Sequence, residues 1–214
     1  NPISNVLIEV ANGNIFFGFR TQGTAPNPLN TTQSGFARID ASGNSIYVLA
    51  GTAAGDNAIQ RDSHNSAPAL SNDGSTLYVV VKGSSEYYGY LLGLDAVTLA
   101  TKYKVFLKDP RSNNANNARI LDDSTSSPMV GPDNDVYFGI YGNPGNGSRG
   151  FLLHFSGGLT VQKTPGGFGW DNTTAVVPAT MVPSYTGMSS YLLFTKYNNY
   201  ANAGDSGDGV NRIA

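Results

Sequence analysis

The 214-residue chain contains no cysteine, and charged residues make up only 13% of it. Without cysteine the chain has no disulfide, no thiolate metal site and no cysteine nucleophile. Its 13 basic and 15 acidic residues give a formal charge of −2 and form no basic run. Long apolar runs are absent as well. We therefore predict no nucleic-acid binding, no attraction to an anionic membrane and no membrane insertion.

Apolar residues spaced at the helical period are also missing, whereas 26 Gly and 11 Pro are scattered through the chain. There is a single Trp, but 12 Tyr and 10 Phe supply large side chains for strand faces. The length is sufficient for a sizeable core in one domain. These features predict an all-β protein with almost no helix.

A phrase that begins with glycine recurs four times, about 60 residues apart, which indicates a repeated supersecondary unit. Its copies are Gly35–Asp40, Gly89–Asp95, Gly150–Ser156 and Gly209–Ala214. A second phrase keeps the same spacing: Ser66–Leu70 followed by Leu77–Val81 is matched by Ser126–Val130 followed by Val136–Phe138. A weaker copy runs through Val177–Met181 and Tyr191–Phe194. Two phrases with a common spacing point to one unit used four times.

Each unit is interpreted as four antiparallel strands, with a short strand before an Asp-Gly or Asn-Gly hairpin and the glycine phrase as third strand. The expected fold is a β-propeller with blades at about 1–62, 63–121, 122–171 and 172–214, the last incomplete, so that about 3.75 blades are present. Either the chain closes a small four-bladed ring, or a longer chain or a second subunit supplies the remaining blades. The second alternative is favoured.

The segment Ser66–Leu107 resembles the PQQ-type repeat of quinoprotein-alcohol-dehydrogenase-like propellers. The resemblance lies in Leu77–Val81 followed by Gly89–Thr98. It implies a ring of six to eight four-stranded blades. Leu99 stands where that family has glycine, and no residue matches a quinone-binding or catalytic position. No cofactor is therefore predicted from the resemblance.

Several acidic residues recur at one loop position of the repeat. Asp62 and Asp122 precede Pro68 and Pro128 by the same spacing, and Asp123 and Asp171 adjoin corresponding positions. They are interpreted as a ring of carboxylates at the propeller mouth that binds a cation or a polyhydroxylated ligand. In the alternative, each Asp hydrogen-bonds the backbone of its own turn.

Three further candidate sites complete the list. His64 lies in a polar loop and is the better functional histidine, whereas His154 falls within an apolar strand and is expected to be packed. Trp170 could stack on a sugar ring or fill a gap between sheets. Asp205 and Asp208 offer calcium oxygen ligands in a Gly-rich turn, with an ordinary hairpin as the alternative.

Two functions of different class remain open. The leading prediction is a non-catalytic binding or scaffold module of an exported protein, secreted or periplasmic, with a protein or glycan as ligand. The alternative is an enzyme at the propeller mouth, either a quinoprotein-like oxidoreductase or a carbohydrate-active hydrolase or lyase. Glycosylation acceptor sequences at Asn30, Asn146 and Asn172 favour export.

Overall fold

The computed structural model describes residues 7–21, 23–27, 30–85, 87–121, 126–147, 149–199, 201, 208–210 and 212–213. Strands account for 43% of the structure and helices for 5%, which confirms the all-β prediction. The strands form several antiparallel sheets, but the described residues form no closed barrel and no closed propeller ring. No helix within these ranges is long and apolar enough to cross a bilayer.

The first sheet is a meander of four antiparallel strands that pair in chain order. They are β1 (Ile8–Glu9), β2 (Ile15–Phe19), β3 (Gly35–Ile39) and β4 (Ser45–Leu49). A one-turn helix α1 (Ala50–Ala54) follows, and Gly55 ends it in the left-handed conformation with φ 59°. Glycine is the residue that adopts this helix end at least cost.

The second sheet repeats this meander with one additional strand. Its strands are β5 (Ile59–Asp62), β6 (Ala69–Leu70), β7 (Thr76–Gly83), β8 (Gly89–Asp95) and β9 (Thr101–Phe106). Both β5 and β6 pair with β7, and β8 lies between β7 and β9. Because β5 joins this sheet, the boundary between the first two sheets lies before Ile59 and not after Asp62.

The third unit keeps the meander order with three strands, and the fourth unit consists of two two-stranded sheets. After a 3₁₀ turn (Arg111–Asn114), the third sheet contains β10 (Met129–Val130), β11 (Val136–Asn146) and β12 (Arg149–Phe155). The fourth unit contains β13 (Ala175–Pro178) with β14 (Tyr191–Phe194), and β15 (Lys196–Tyr197) with β16 (Arg212–Ile213). The expected strand Val177–Met181 ends at Pro178, because Ala179–Met181 turns into a 3₁₀ helix.

The second strands of adjacent units occupy equivalent positions in different sheets, as predicted. Tyr78 on β7 pairs with Ala69 on one side and Gly93 on the other. Tyr137 on β11 pairs with Met129 and His154 in the same way. The segments Leu77–Val81 and Val136–Ile140 are therefore equivalent strands of separate sheets.

The glycine that opens the recurring phrase lies where two strands approach too closely for a side chain. A Cβ atom on Gly35 would lie 2.2 Å from the Val48 carbonyl oxygen. On Gly89 and Gly150 it would lie 1.9 and 2.1 Å from carbonyl oxygens of the preceding strand. Gly209 differs, because it needs a positive φ of 77°. Backbone contact thus explains three copies of the phrase.

The first three sheets stack in chain order through shared cores. Side chains alternate along β7, so that Leu77, Val79 and Val81 pack toward the first sheet and Tyr78 and Val80 toward the third. The Tyr78 hydroxyl donates to the Gly157 carbonyl in the third unit at 2.7 Å. In the same way, the Tyr137 hydroxyl lies 2.8 Å from that of Tyr191 in the fourth. Both tyrosines are buried, at 2% and 5% exposure.

Candidate functional site

A pocket of about 160 Å³ lies beside the β11–β12 hairpin, where the third unit meets the fourth. The 3₁₀ turn, both strands of the hairpin, the segment before β13 and β15 all contribute to it. Its lining residues are Arg111, Asn146, Arg149, Gly150, Phe151, Gly167 and Tyr197. The two arginines come from segments that are far apart in the sequence, and the fold brings them to one recess. We call this recess the arginine pocket.

A buried carboxylate fixes the first of these arginines. Asp109 is 1% exposed, and it accepts hydrogen bonds from Arg111 Nε at 3.0 Å and Nη2 at 2.8 Å. It also accepts the backbone N–H of Asn143 at 2.7 Å. Burial alone would raise the pKa of Asp109, but the hydrogen bonds from Arg111 and Asn143 outweigh it and lower the pKa below 3.8. The carboxylate is therefore ionised and holds the guanidinium in one orientation.

The second arginine is placed by an amide and an aromatic ring. Arg149 Nη2 donates to Asn199 Oδ1 at 3.0 Å, and its guanidinium lies 5.7 Å from the centre of the Tyr197 ring. Arg111 lies in the same way 5.5 Å from the Phe151 ring. Each guanidinium therefore covers an aromatic ring that also lines the pocket. Such cation–π contacts add to the positioning of both charges.

Of the predicted site residues, Trp170 packs against Gly150 of this pocket, and Asp171 follows it in the chain. Trp170 is 8% exposed, its ring centre is 4.9 Å from that of Tyr141, and a Cβ atom on Gly150 would lie 2.5 Å from Trp170 Cβ. This placement favours the gap-filling alternative for Trp170. Asp171 forms an ion pair with Lys196 at 2.7 Å and accepts from the Asn198 amide at 3.1 Å.

The remaining predicted residues are more distant or lie outside the described ranges. Asp62 was expected in a loop, but it is the last residue of β5 and is 2% exposed, because this segment pairs with β7. His64 is half-buried in the turn that follows β5. Asp122, Asp123 and Asp205 fall outside the described residues. Trp170 and Asp171 are adjacent in the sequence and lie beside the third sheet, whereas Asp62 and His64 lie in the second unit, so the described candidate residues do not converge on one site.

Asp208 takes part in a local hairpin network. It accepts hydrogen bonds from Arg212 Nη2 at 2.7 Å and from the Val210 amide at 2.9 Å. These bonds, with the Arg212 side chain contributing most, lower the pKa of Asp208 to about 2. Within the described ranges, no three or more His, Cys, Asp or Glu side chains cluster as metal ligands would. A calcium site that includes Asp205 stays a prediction.

A second polar cluster occupies the opposite end of β11 and β12. His154 Nε2 lies 2.6 Å from Asp135 Oδ2, which also accepts from Lys163 Nζ. The imidazole stacks on Tyr137 with ring centres 4.2 Å apart, and Tyr191 donates to both oxygens of Asp133. Packed against Tyr137 and hydrogen-bonded to Asp135, His154 confirms the expectation of a packed histidine.

The sequence interpretation missed the arginines and also Lys82. Lys82 is completely buried, donates to the Ile120 carbonyl at 3.1 Å and lies 4.8 Å from the Tyr87 ring centre. A lysine directly after the apolar run Leu77–Val81 was the available signal, because a charge on a buried strand needs specific partners. For Arg111 the signal was Asp109, two residues before it.

Asp109→Asn is expected to lower the free energy of unfolding by about 2 kcal/mol at neutral pH. The asparagine amide is uncharged and has only one oxygen to accept the two Arg111 donors. The folded-state pKa of Asp109 is lowered, so its carboxylate contributes fully above about pH 4 and loses its contribution as the pH falls further. Urea unfolding of wild type and variant should therefore differ more at pH 7 than at about pH 3. Equal differences at both pH values would contradict this role.

Comparison with solved structures gives weak similarity. No protein-family model and no curated protein matches the chain. A solved structure of a luciferin-regenerating enzyme aligns with 97% of this chain at 12% identity and a TM-score of 0.48. The chain spans 58% of the length of that structure. This similarity is too weak to assign the chain to a family.

Proposed function

We propose that the chain is a series of β-propeller blades that acts as a non-catalytic, glycan-binding module of an exported protein. The observation that carries this proposal is the arginine pocket, in which buried Asp109 fixes Arg111 at the surface of a recess. A side chain that is held in place before the ligand arrives loses little entropy on binding. Such preorganisation favours recognition over a purely structural role.

The propeller part of the proposal is supported by the stacking of successive meanders. The second unit shares one core with the first unit and another with the third, and the first and fourth units expose large apolar side chains. Phe194 and Ile213 in the fourth unit are 47% and 73% exposed, and Tyr47 in the first is 44% exposed. Such faces require further partners. We propose that additional blades, from a longer chain or a second subunit, complete a ring of six to eight.

Light scattering on the purified chain tests this completion. We expect self-association, or binding of a dye that reports exposed apolar surface. A monomer with a mass of 22.5 kDa that binds no such dye would contradict the proposal of missing blades.

A panel of neutral and acidic mono- and oligosaccharides tests the binding function. We expect at least one sugar to raise the melting temperature, because a ligand at one hundred times its Kd adds about 2.7 kcal/mol of stability. Mass spectrometry of the recovered sugar should show no product. A sugar that is converted would overturn the non-catalytic part, and a panel without any shift would overturn glycan binding.

The polar cluster around His154 favours an enzyme as the second candidate. Asp135 orients the imidazole through Nε2 at 2.6 Å, and Lys163 and the paired hydroxyls of Tyr137 and Tyr191 lie around it. Several titratable groups within hydrogen-bond reach are typical of catalytic sites. The substrates to test are those of quinoprotein-like oxidoreductases and of carbohydrate-active hydrolases or lyases. If the panel reveals product, His154→Gln should abolish it.

A further inference from the structure

We propose that a pocket between the first and second units binds a neutral sugar, a mono- or disaccharide. It is lined by residues of the turns 10–14 and 70–74 and by Phe16, Ala96 and Val97, and we call it the inter-unit pocket. Its volume of about 340 Å³ lies at the lower end of the roughly 300–1,000 Å³ of typical ligand pockets. The inference rests on the proposed glycan-binding function and adds a site separate from the arginine pocket.

The repeat shows how the equivalent space between the second and third units is closed. There the Tyr78 hydroxyl donates to the Gly157 carbonyl at 2.7 Å. Phe16 occupies the position of Tyr78 in the first unit, because each lies two residues after the one whose carbonyl accepts the bond that closes the turn, Asn14 or Thr76. Both rings pack into the core that their unit shares with the next one. Phe16 thus fills the same place without a hydroxyl group.

The acceptor of that hydroxyl also has an equivalent at the inter-unit pocket. It is Ala96, which follows Gly93 by three residues as Gly157 follows His154, and these two pair with the equivalent tyrosines of β7 and β11. Ala96 lines the pocket and is 5% exposed, and among the described residues nothing donates a hydrogen bond to its carbonyl. A carbonyl in such a place gains a hydrogen bond when a ligand brings a hydroxyl donor to it.

A second group that closes the gap is also replaced in the first unit. Between the second and third units, the Asn72 side-chain amide donates to the carbonyls of Gly131 and Pro132 at 2.9 and 3.2 Å and so joins the two turns. Ala11 stands at the position of Asn72, as the first residue of its turn. Its methyl group cannot form such a bridge. The first two units therefore leave open a space that the second and third units fill with a hydroxyl and an amide of their own.

The lining of the inter-unit pocket suits the two kinds of surface that a sugar presents. Phe16 and Leu70 contribute apolar surface for the C–H groups of a sugar ring. Asn12 and Asn14 contribute side-chain amides, which both donate and accept hydrogen bonds as ring hydroxyls require. Among the described residues, the Asn14 side chain has no hydrogen-bonding partner, and the Asn12 side chain accepts only the Asn14 backbone N–H at 3.1 Å. Both amides are therefore available to a ligand.

The charges at the pocket favour a neutral sugar over an acidic one. Asp73 is the one charged side chain of the described lining, and hydrogen bonds within its own turn, that of the Ser71 hydroxyl above all, lower its pKa to about 2. Arg38, which donates to the Val97 carbonyl, lies 3.9 Å from Asp40 and is balanced by it. No surplus of positive charge among these groups faces the pocket. A carboxylate on the ligand would meet ionised Asp73 and gain nothing.

Isothermal titration calorimetry with D-glucose, D-galactose, D-mannose, maltose and cellobiose tests the inference, and D-glucuronate serves as the acidic counterpart. We expect at least one of the neutral sugars to bind the wild-type chain. Phe16→Tyr should weaken binding of that sugar about tenfold or more, because the new hydroxyl takes the Ala96 carbonyl and the ligand loses this hydrogen bond. Phe194→Tyr adds the same hydroxyl in the fourth unit, at a residue that is 47% exposed, and should leave binding unchanged.

A second variant fills the inter-unit pocket without changing the core. Ala11 is an exposed turn residue of the lining, so Ala11→Trp should block the sugar even if Phe16→Tyr does not fold. A neutral sugar that binds the wild type and both variants equally would overturn this pocket while leaving the glycan-binding function standing. A chain that binds none of the sugars, glucuronate included, would overturn both. If Ala11→Trp weakened the binding of glucuronate and not that of a neutral sugar, the assignment to a neutral ligand would be wrong.

Discussion

Gly89→Ala is expected to destabilise the protein by about 3 kcal/mol or more, since it overpacks a site closed by backbone. The added methyl group would lie 1.9 Å from the Val81 carbonyl oxygen and 2.7 Å from Lys82 Cα. Both atoms belong to β7, which is buried along its whole length between two cores. A neighbouring side chain could rotate away from the added methyl group, but the backbone of β7 can make room for it only by separating from β8. Urea unfolding followed by fluorescence gives the free energy directly.

Gly158→Ala is the matched control. Its Cβ atom would meet Thr160 Oγ1 at 3.8 Å and Tyr103 Cε1 at 3.9 Å, which are ordinary contacts. We expect a change within about 0.5 kcal/mol, as for most surface substitutions. Gly150→Ala, with its Cβ atom 2.1 Å from the Ile140 carbonyl oxygen, should resemble Gly89→Ala. An unchanged urea midpoint for Gly89→Ala would mean that β7 and β8 separate at little cost, and close approach would no longer explain the repeat.

The strands were predictable because their constraints are local. A tight backbone approach admits only glycine, so the same residue recurs at the start of β3, β8 and near the start of β12. An apolar strand buried on both faces, such as Leu77–Val81, needs apolar side chains at successive positions and is visible as a continuous run. Helical spacing was absent, and the described part of the chain forms a single α-helix, of five residues, besides two 3₁₀ turns. Each of these signals can be read within a few residues.

The candidate site was not predictable to the same degree, because it depends on distant segments. Arg111 and Arg149 meet only because the β11–β12 hairpin folds back beside the 3₁₀ turn. Asp62 looks like a loop residue from its polar neighbours, yet β5 pairs with the last residues of β7, on the same edge where β6 pairs with the first residues. No local pattern encodes that pairing. The spacing of Asp62 before the repeat proline is real, but Asp62 lies at the end of a strand and not in a loop.

Equivalent positions also show where a repeat acquires new chemistry. The partner of Tyr78 across the sheet is Gly93, whereas the partner of Tyr137 is His154. In the second unit, Lys102 donates to the Thr76 hydroxyl at 3.0 Å. In the third, Lys163 donates to Asp135, which also binds His154. Backbone geometry is kept while side chains diverge, so the repeat predicts the fold and says little about either polar site.

Tyr78→Ala is expected to cost about 3 kcal/mol, as truncation of a large buried side chain does. Tyr78 is 2% exposed and belongs to the core between the second and third sheets. Its removal leaves a cavity there and deprives the Gly157 carbonyl of a hydrogen bond of 2.7 Å. The loss should appear as a lower urea midpoint with an unchanged slope, because the surface exposed on unfolding is nearly the same. A loss below about 1 kcal/mol would mean that the core collapses to fill the cavity.

Tyr78→Phe isolates the hydroxyl and should cost only about 1 kcal/mol at neutral pH. Burial raises the pKa of Tyr78 to about 12, from 10.0. The unfolded chain therefore releases this proton first, so the contribution is complete below about pH 10 and is lost as the pH rises through about 12. We expect the stability of wild type to fall faster than that of Tyr78→Phe above pH 10. Parallel decline of the two proteins would contradict a buried, hydrogen-bonded phenol and, with it, the contact that joins the second sheet to the third.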